Sequence, residues 1–171
     1  MKYKSDKSNK IIENALLNLM KDHDYNDINI TDIILEADIS RSTFYAHFKK
    51  KDEILIKYLD EMMSHVFEHL EGNNKDILTH VFEHIKEERE EMRLILDSSA
   101  SHLFRKELRK KLNVIVSSCY VEGLYGHKDI PTDLARHQYL NDLIALIQYY
   151  VHHGQDISPN DLTEYYFKLF N

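Results

Sequence analysis

Residues 29–53 read NITDIILEADISRSTFYAHFKKKDE, and this stretch predicts two short helices joined by a tight turn. Asn29 stands three residues before Asp32, which is a relaxed form of the capping box that opens a helix. Ser40 is a suitable N-cap for the second helix, because its hydroxyl can accept from the first free backbone N–H groups. A cluster of three lysines follows. Two short helices joined by a tight turn, with cationic side chains after them, are what a DNA-reading element needs.

Apolar residues recur at spacings of three and four along most of the chain, which is typical of amphipathic helices. Only four Gly and two Pro occur in 171 residues, too few for the many turns of a sheet protein. The predicted helices span about 6–22, 30–38, 41–48, 51–70, 75–90, 91–97, 101–123, 133–153 and 159–170. We therefore expect an all-α fold of about nine helices, with an N-terminal three-helix head and a C-terminal helical body.

The net charge of −7 is unevenly distributed along the chain. Residues 1–51 hold nine Lys/Arg and eight Asp/Glu, whereas the rest of the chain holds thirteen and twenty-one. A small surface on the first third can therefore be locally positive, while the remainder is repelled from a phosphate backbone.

The single cysteine, Cys119, cannot form an intramolecular disulfide, which fits a reducing compartment. The first residues lack the apolar run of a signal peptide, and no window approaches the roughly 18 consecutive apolar residues of a membrane span. We expect a cytoplasmic protein that does not associate with a membrane.

The second helix of the stretch offers hydrogen-bond donors at its N-terminal end, where the bases of a major groove are read. An arginine can form two bonds to guanine, and hydroxyl groups can donate or accept. The predicted base-reading residues are Thr31, Arg41, Ser42 and Thr43. The residues expected to contact DNA phosphates are Asn29, Tyr45, His47, Lys49 and Lys51.

Residues 45–48 (YAHF) followed by residues 51–55 (KDEIL) resemble the DNA-binding head of the tetracycline-repressor (TetR) family of bacterial regulators. Two positions depart from the family pattern. Asp38 stands where the turn usually has Gly, and Ile34 replaces a small Ala. Because Asp tolerates the left-handed conformation better than most residues, we expect the turn to survive.

The resemblance implies a helix-turn-helix DNA-binding domain at 1–51 and a helical effector-binding and dimerisation domain at 52–171, linked by a helix from 52 to about 70. It also implies a palindromic double-stranded DNA operator, a small-molecule effector of unknown identity and no cofactor. Apolar residues at helical spacing fill a core more often than they line a pocket. The candidates for an effector pocket are Phe67, Phe82, Met92, Leu96, Phe104, Cys119 and Tyr120.

The last two predicted helices are rich in aromatic and aliphatic residues, which makes them the best candidates for a dimer interface. The alternative is that these side chains fill the core of their own subunit. The predicted interface residues are Leu143, Ile147, Tyr150, Leu162, Tyr166, Leu169 and Phe170.

The five residues His-Val-Phe-Glu-His occur at 65–69 and again at 80–84. Histidines four positions apart share a helix face and can bind zinc, but the sequence offers no clear third ligand. Since histidines on a helix surface are the usual case, no metal site is expected.

Neither a glycine-rich phosphate loop, a Cys-x-x-Cys pair nor a nucleophile elbow occurs, so we do not expect an enzyme. The sequence favours a homodimeric transcriptional regulator, a repressor that an effector releases from its operator. The alternative is an adaptor of the same fold that acts through a protein partner without reading DNA. Such an adaptor has no need of Arg41, Thr43, Tyr45 and Lys51, and all four are present.

Overall fold

The computed structural model of the chain describes residues 2–68, 74–118, 130–154 and 156–170. These ranges contain nine helices and no strand, which confirms the predicted all-α class. The helices are α1 (Lys2–Leu19), α2 (Ile30–Glu36), α3 (Arg41–His47), α4 (Lys51–Glu68), α5 (Asn74–Glu87), α6 (Arg89–Leu96), α7 (Ser101–Ser118), α8 (Thr132–His153) and α9 (Pro159–Phe170). The predicted extension of α7 to residue 123 lies outside the described residues. Among the helices described, none has the length and apolar character needed to cross a membrane.

The chain divides into two compact units. The head unit comprises Met1–Glu61 together with Arg93–Glu107, and the body unit comprises Met62–Met92 together with Leu108–Asn171. The sequence did not indicate that the segment from 93 to 107 belongs with the N-terminal helices. The functional boundary between residues 51 and 52 stays a prediction.

The core of the head unit forms where α1, α2 and α3 pack together. Leu16 of α1, Ile33 of α2 and Phe44 of α3 are completely buried. Phe48 follows Phe44 by four residues, and the centroids of the two rings lie 6.2 Å apart. These apolar contacts hold α3 against its neighbours, so its exposed face has a defined orientation.

The turn between α2 and α3 is a Schellman motif centred on Asp38. The Asp38 N–H donates to the Leu35 carbonyl (3.2 Å), and the Ile39 N–H donates to the Ile34 carbonyl (3.2 Å). Asp38 has φ of 49° and is the only described residue other than glycine with positive φ. The prediction that Asp38 adopts the left-handed conformation here is confirmed.

The core of the body unit forms where α5 packs against α8 and α9. The Phe82 ring lies 5.9 Å from the Tyr150 ring, and the Thr79 hydroxyl donates to the Thr163 hydroxyl at 3.0 Å. Gly154 caps the C-terminus of α8, and its N–H donates to the Tyr150 carbonyl (2.9 Å). The φ of Gly154 is −85°, so glycine is needed for space, because a Cβ at this position would collide with the Tyr150 ring.

Candidate DNA interface

Ser40 organises the start of α3, the helix predicted to read bases. Its hydroxyl oxygen accepts a hydrogen bond from the Thr43 N–H (3.0 Å), which confirms Ser40 as the N-cap. The same oxygen lies 2.8 Å from the hydroxyl oxygens of Ser42 and of Thr43. Each hydroxyl can donate once and accept twice. Ser42 and Thr43 therefore retain hydrogen-bonding capacity toward a base while the cap stays intact.

Asn29 caps α2 with its side chain. Its Oδ1 atom accepts from the N–H groups of Thr31 (2.9 Å) and Asp32 (3.2 Å). The Asp32 carboxylate in turn accepts from the Asn29 N–H (2.8 Å), so the predicted capping box is confirmed. Asn29 was predicted to contact phosphate. In the structure its side-chain amide oxygen caps the start of α2, the helix on which Thr31 lies.

Arg41 and Tyr45 form a cation–π pair on the exposed face of α3. The Arg41 guanidinium carbon lies 5.7 Å from the centroid of the Tyr45 ring. The Tyr45 ring packs edge-on against the buried Phe44 ring, with the centroids 5.4 Å apart. Because the aromatic ring attracts and orients the cation, Arg41 extends from a supported position.

Lys51, the first residue of α4, is held by the segment that precedes α2. Its Nζ donates to the backbone carbonyls of Tyr25 (2.5 Å) and Ile28 (2.7 Å). It also lies 4.2 Å from the centroid of the Tyr25 ring. Lys51, which was predicted to contact phosphate, therefore connects the start of α4 to the loop before α2.

The Tyr25 hydroxyl extends this connection by donating to the Asp52 carboxylate (2.5 Å). Burial, followed by the hydrogen bond to Asp52, raises the pKa of Tyr25 well above its ordinary value. The hydroxyl therefore stays protonated and remains a donor at physiological pH.

Asp24 connects the same loop to the segment between α6 and α7, which belongs to the head unit. Its carboxylate accepts from the N–H of Asn26 (3.0 Å) and from the N–H (3.1 Å) and hydroxyl of Ser99. These hydrogen bonds, the one from the Ser99 hydroxyl first, lower the pKa of Asp24. The partners are 75 positions apart, and nothing in the sequence pointed to this contact.

The exposed ends of α2, α3 and α4 surround a groove of about 590 Å³. Six residues of the predicted DNA-contacting set line it: Asn29, Thr31, Arg41, Tyr45, Lys49 and Lys51. Lys50, from the lysine cluster, also lines the groove, and so does Asn26, which no feature of the sequence had indicated. Ser42, Thr43 and His47 are not among the lining residues.

The groove is positively charged. Arg41 and three consecutive lysines line it together with a single acid, Asp52, which the Tyr25 hydroxyl contacts. Cationic side chains interleaved with tyrosine and amide groups suit a phosphate backbone and the base edges beside it. The groove therefore carries an excess of positive charge although the chain as a whole is acidic.

The predicted effector-pocket residues are divided between the two units. Phe82 and Met92 are buried in the body unit, and Leu96 and Phe104 are buried in the head unit. Cys119, Tyr120 and the side chain of Phe67 lie outside what the structure describes. The pocket stays a prediction.

The predicted dimer interface stays a prediction, and the structure shows where its residues lie in a single chain. Five of them are buried in the body unit's own core, which was the alternative interpretation: Leu143, Ile147, Tyr150, Leu162 and Tyr166. Leu169 is 71% exposed, and the side chain of Phe170 lies outside the described residues. Helical periodicity identifies an apolar face but does not tell whether that face meets the same chain or a second copy.

The surface of α8 and α9 nevertheless carries large apolar side chains. Leu134 and Tyr149 of α8 and Tyr165 of α9 are each at least half exposed. Together with Leu169, they are the large apolar side chains that are exposed on the described residues of these two helices.

This geometry defines a helix-turn-helix DNA-binding protein. A family model described as bacterial regulatory proteins, tetR family, matches residues 12–58, from α1 into α4. The crystal structure of a TetR transcriptional regulator from Streptococcus agalactiae 2603V is similar over 99% of this chain and 97% of that chain, with 25% sequence identity and a TM-score of 0.78. Residues 12–58 are therefore a DNA-binding head of the tetR type, and the similarity to a TetR transcriptional regulator over nearly the whole chain supports a DNA-binding regulator.

More distant structures share the fold. A protein from Listeria innocua is 16% identical over 98% of this chain and 91% of its own, with a TM-score of 0.73. The transcriptional regulator FadR from Bacillus subtilis is 18% identical over 94% of this chain and 96% of its own, with a TM-score of 0.63. The comparison with curated proteins found no match.

Proposed function

We propose that the chain is a homodimeric repressor that binds a palindromic DNA operator and leaves it when a small molecule binds the helical body. The observation that carries this proposal is the cationic groove, in which Arg41, Tyr45 and Lys49 lie beside the start of α2. Base-reading and phosphate-binding groups side by side are what operator recognition requires. The alternative, an adaptor without sequence-specific DNA binding, has no use for this arrangement.

A homodimer is proposed because one short recognition helix covers only a few base pairs. A two-fold symmetric pair of heads reads a palindrome whose half-sites lie about one helical turn or a multiple of it apart. The exposed apolar side chains of α8 and α9 support these helices as the dimer surface.

Release by an effector requires that the ligand bind one conformation of the dimer more tightly than another. In the conformation that the effector favours, the spacing of the two heads no longer matches successive major grooves. The B. subtilis FadR structure contains stearoyl-CoA, so a long-chain acyl-CoA is the first probe to test as the effector.

The test is selection of bound fragments from the source genome with the purified full-length chain. We expect one enriched palindrome, with half-sites separated by about one turn of DNA. A fragment set with no shared palindrome would support the adaptor instead. Titrating the selected operator complex with stearoyl-CoA, and with coenzyme A as control, then tests the class of effector.

A further inference from the structure

Residues 24–27 form a tight turn at one edge of the cationic groove. The Asp27 N–H donates to the Asp24 carbonyl (3.0 Å), and the Asn26 N–H donates to the Asp24 carboxylate (3.0 Å). The buried side chain of Tyr25 anchors the turn in the head unit. Of the residues in this turn, Asn26 is the one that lines the groove.

The identity of the residue at this edge matters because the loop is acidic. Asp22, Asp24 and Asp27 surround Asn26 in the sequence, yet none of the three is among the residues that line the groove. A carboxylate there would repel DNA phosphates, whereas the amide group of an asparagine side chain can donate hydrogen bonds to them. The groove therefore presents a neutral donor where the neighbouring residues would place a negative charge.

Ser99, in the turn between α6 and α7, contacts the 24–27 turn through three hydrogen bonds. Its hydroxyl donates to the Asp24 carboxylate, and its N–H donates to the same carboxylate (3.1 Å). Its hydroxyl oxygen accepts from the Asn26 N–H (3.1 Å), which is shared between Ser99 and Asp24. Ser99 therefore engages the nearest negative charge and fixes the backbone of the residue that lines the groove.

The turn that carries Ser99 is itself held in place. The Ser98 hydroxyl donates to the Ile95 carbonyl (2.9 Å) and accepts from the Ala100 N–H (3.1 Å). Ile95 and Ala100 are buried, and both belong to the head unit, as does the 24–27 turn. Because its supporting residues are packed and hydrogen-bonded, the α6–α7 turn presents Ser99 in a defined position.

We propose that the Asn26 side-chain amide binds a DNA phosphate and that Ser99 is the residue that positions it. This inference rests on the proposed function, because it adds a contact to the same groove. Lys49 and Lys50 line that groove and attract the phosphate backbone, and Asn26 adds a directional hydrogen bond beside them. The DNA-binding surface therefore depends on a residue outside 12–58, the range that matches the family model.

Binding of the full-length chain to a random-sequence duplex tests the phosphate contact, because such a contact does not depend on the bases. Asn26→Ala should lower the affinity by about 10-fold, as expected for a lost hydrogen bond to a charged group. The slope of affinity against salt should equal that of the wild type, because the slope reports phosphates neutralised by Lys and Arg. Lys49→Ala is the control and should flatten this slope by about one unit.

Ser99→Ala tests the positioning role. It should lower DNA affinity by about 3-fold and should add little to the loss in Asn26→Ala, because both changes act through one contact. Ser99→Thr keeps the hydroxyl and the N–H and should bind DNA as the wild type does. Ser101→Ala is the matched control, since Ser101 makes none of the hydrogen bonds that the described residues direct to the 24–27 turn. A general loss of stability would not produce this non-additivity, and urea unfolding checks each variant.

Wild-type affinity in Asn26→Ala, with a flattened slope in Lys49→Ala, would overturn the phosphate contact and leave the groove as a DNA-binding site. Equal affinity and slope in the wild type and both variants would overturn the proposed function as well. Additive losses from Asn26→Ala and Ser99→Ala would overturn the positioning role of Ser99. If Asn26→Ala does not fold, the nearly isosteric Asn26→Asp takes its place and should bind the duplex at least as weakly, because it replaces the donor with a negative charge.

Discussion

The ammonium group of Lys51 lies 4.2 Å from the centre of the Tyr25 ring and donates a hydrogen bond to the Tyr25 carbonyl. A second bond, to the Ile28 carbonyl, ties the first residue of α4 to the end of the loop that leads into α2. The position of the recognition element therefore depends on a lysine that charge alone would assign to the DNA phosphate backbone.

Replacing Lys51 with alanine should reduce both stability and DNA affinity. The loss of hydrogen bonds from a charged donor should lower the free energy of unfolding by about 2 kcal/mol. DNA affinity should fall for all sequences, and the salt dependence should flatten by about one unit if Lys51 also contacts a phosphate. Denaturant unfolding and binding isotherms at several salt concentrations measure the two effects.

Lys49→Ala is the control for Lys51→Ala, because Lys49 is exposed and lines the same groove. It should flatten the salt dependence without lowering the free energy of unfolding. If Lys51→Ala is as stable as Lys49→Ala, the hydrogen bonds of Lys51 do not hold the loop.

Replacing Arg41 with alanine should relax sequence preference. A bidentate contact to a base contributes about 1–3 kcal/mol of discrimination, so operator affinity should fall by about 5- to 150-fold for each half-site while binding to unrelated DNA changes little. Competition between operator and random duplexes measures this ratio. An unchanged ratio would remove Arg41 from the base-reading set.

Asn29→Asp should separate the capping role of this residue from its predicted phosphate contact. Aspartate caps a helix as well as asparagine does, so thermal stability should be retained, whereas Asn29→Ala should cost about 1 kcal/mol. The added negative charge lines the groove and should weaken DNA binding. If Asn29→Asp binds DNA as tightly as the wild type does, no phosphate approaches this position.

Glu13 of α1 is a buried acid in the head unit. Its side chain is completely inaccessible, and the Lys10 ammonium lies 3.8 Å from its carboxylate. Burial, followed by the negative charge of Glu61, raises the pKa of Glu13 from 4.5 to about 7. Between these two values the folded chain holds a proton that the unfolded chain has released, so the contribution of Glu13 to stability falls as the pH rises.

Glu13→Gln should therefore be more stable than the wild type at pH 8, by about 1–3 kcal/mol, and the advantage should disappear near pH 4.5. Urea unfolding of both proteins across this range measures the difference. Glu36→Gln, at an exposed position of α2, is the control and should show no such trend. A difference independent of pH would mean that Glu13 does not take up a proton on folding.

Leu169→Glu should weaken the proposed homodimer, because it places a charge on the exposed apolar surface of α9. Sedimentation equilibrium should give a lower average mass than for the wild type at the same concentration. Leu35→Glu is the matched control, with 73% exposure in the head unit against 71% for Leu169. A dimer that survives Leu169→Glu unchanged would move the interface away from this surface.

Local sequence was sufficient for the capping and turn features of the head. The capping box of Asn29, the N-cap at Ser40 and the left-handed Asp38 were all predicted from residues within a few positions of each other. These features depend on backbone N–H groups that a helix always exposes at its start, and on which residues tolerate a turn. Helix number and class followed from periodicity in the same way.

Only the tertiary structure decided which distant groups a side chain contacts. It directed Lys51 to two backbone carbonyls, joined Asp24 to Ser99, and buried Tyr166 in the core while leaving Leu169 exposed. The sequence determined that the chain has a helix-turn-helix whose second helix presents Arg41, because helix starts and turns depend on residues that are close together in the chain. The partners of Lys51 and the exposed faces of α8 and α9 depend on how distant helices pack, which spacing along the chain does not encode.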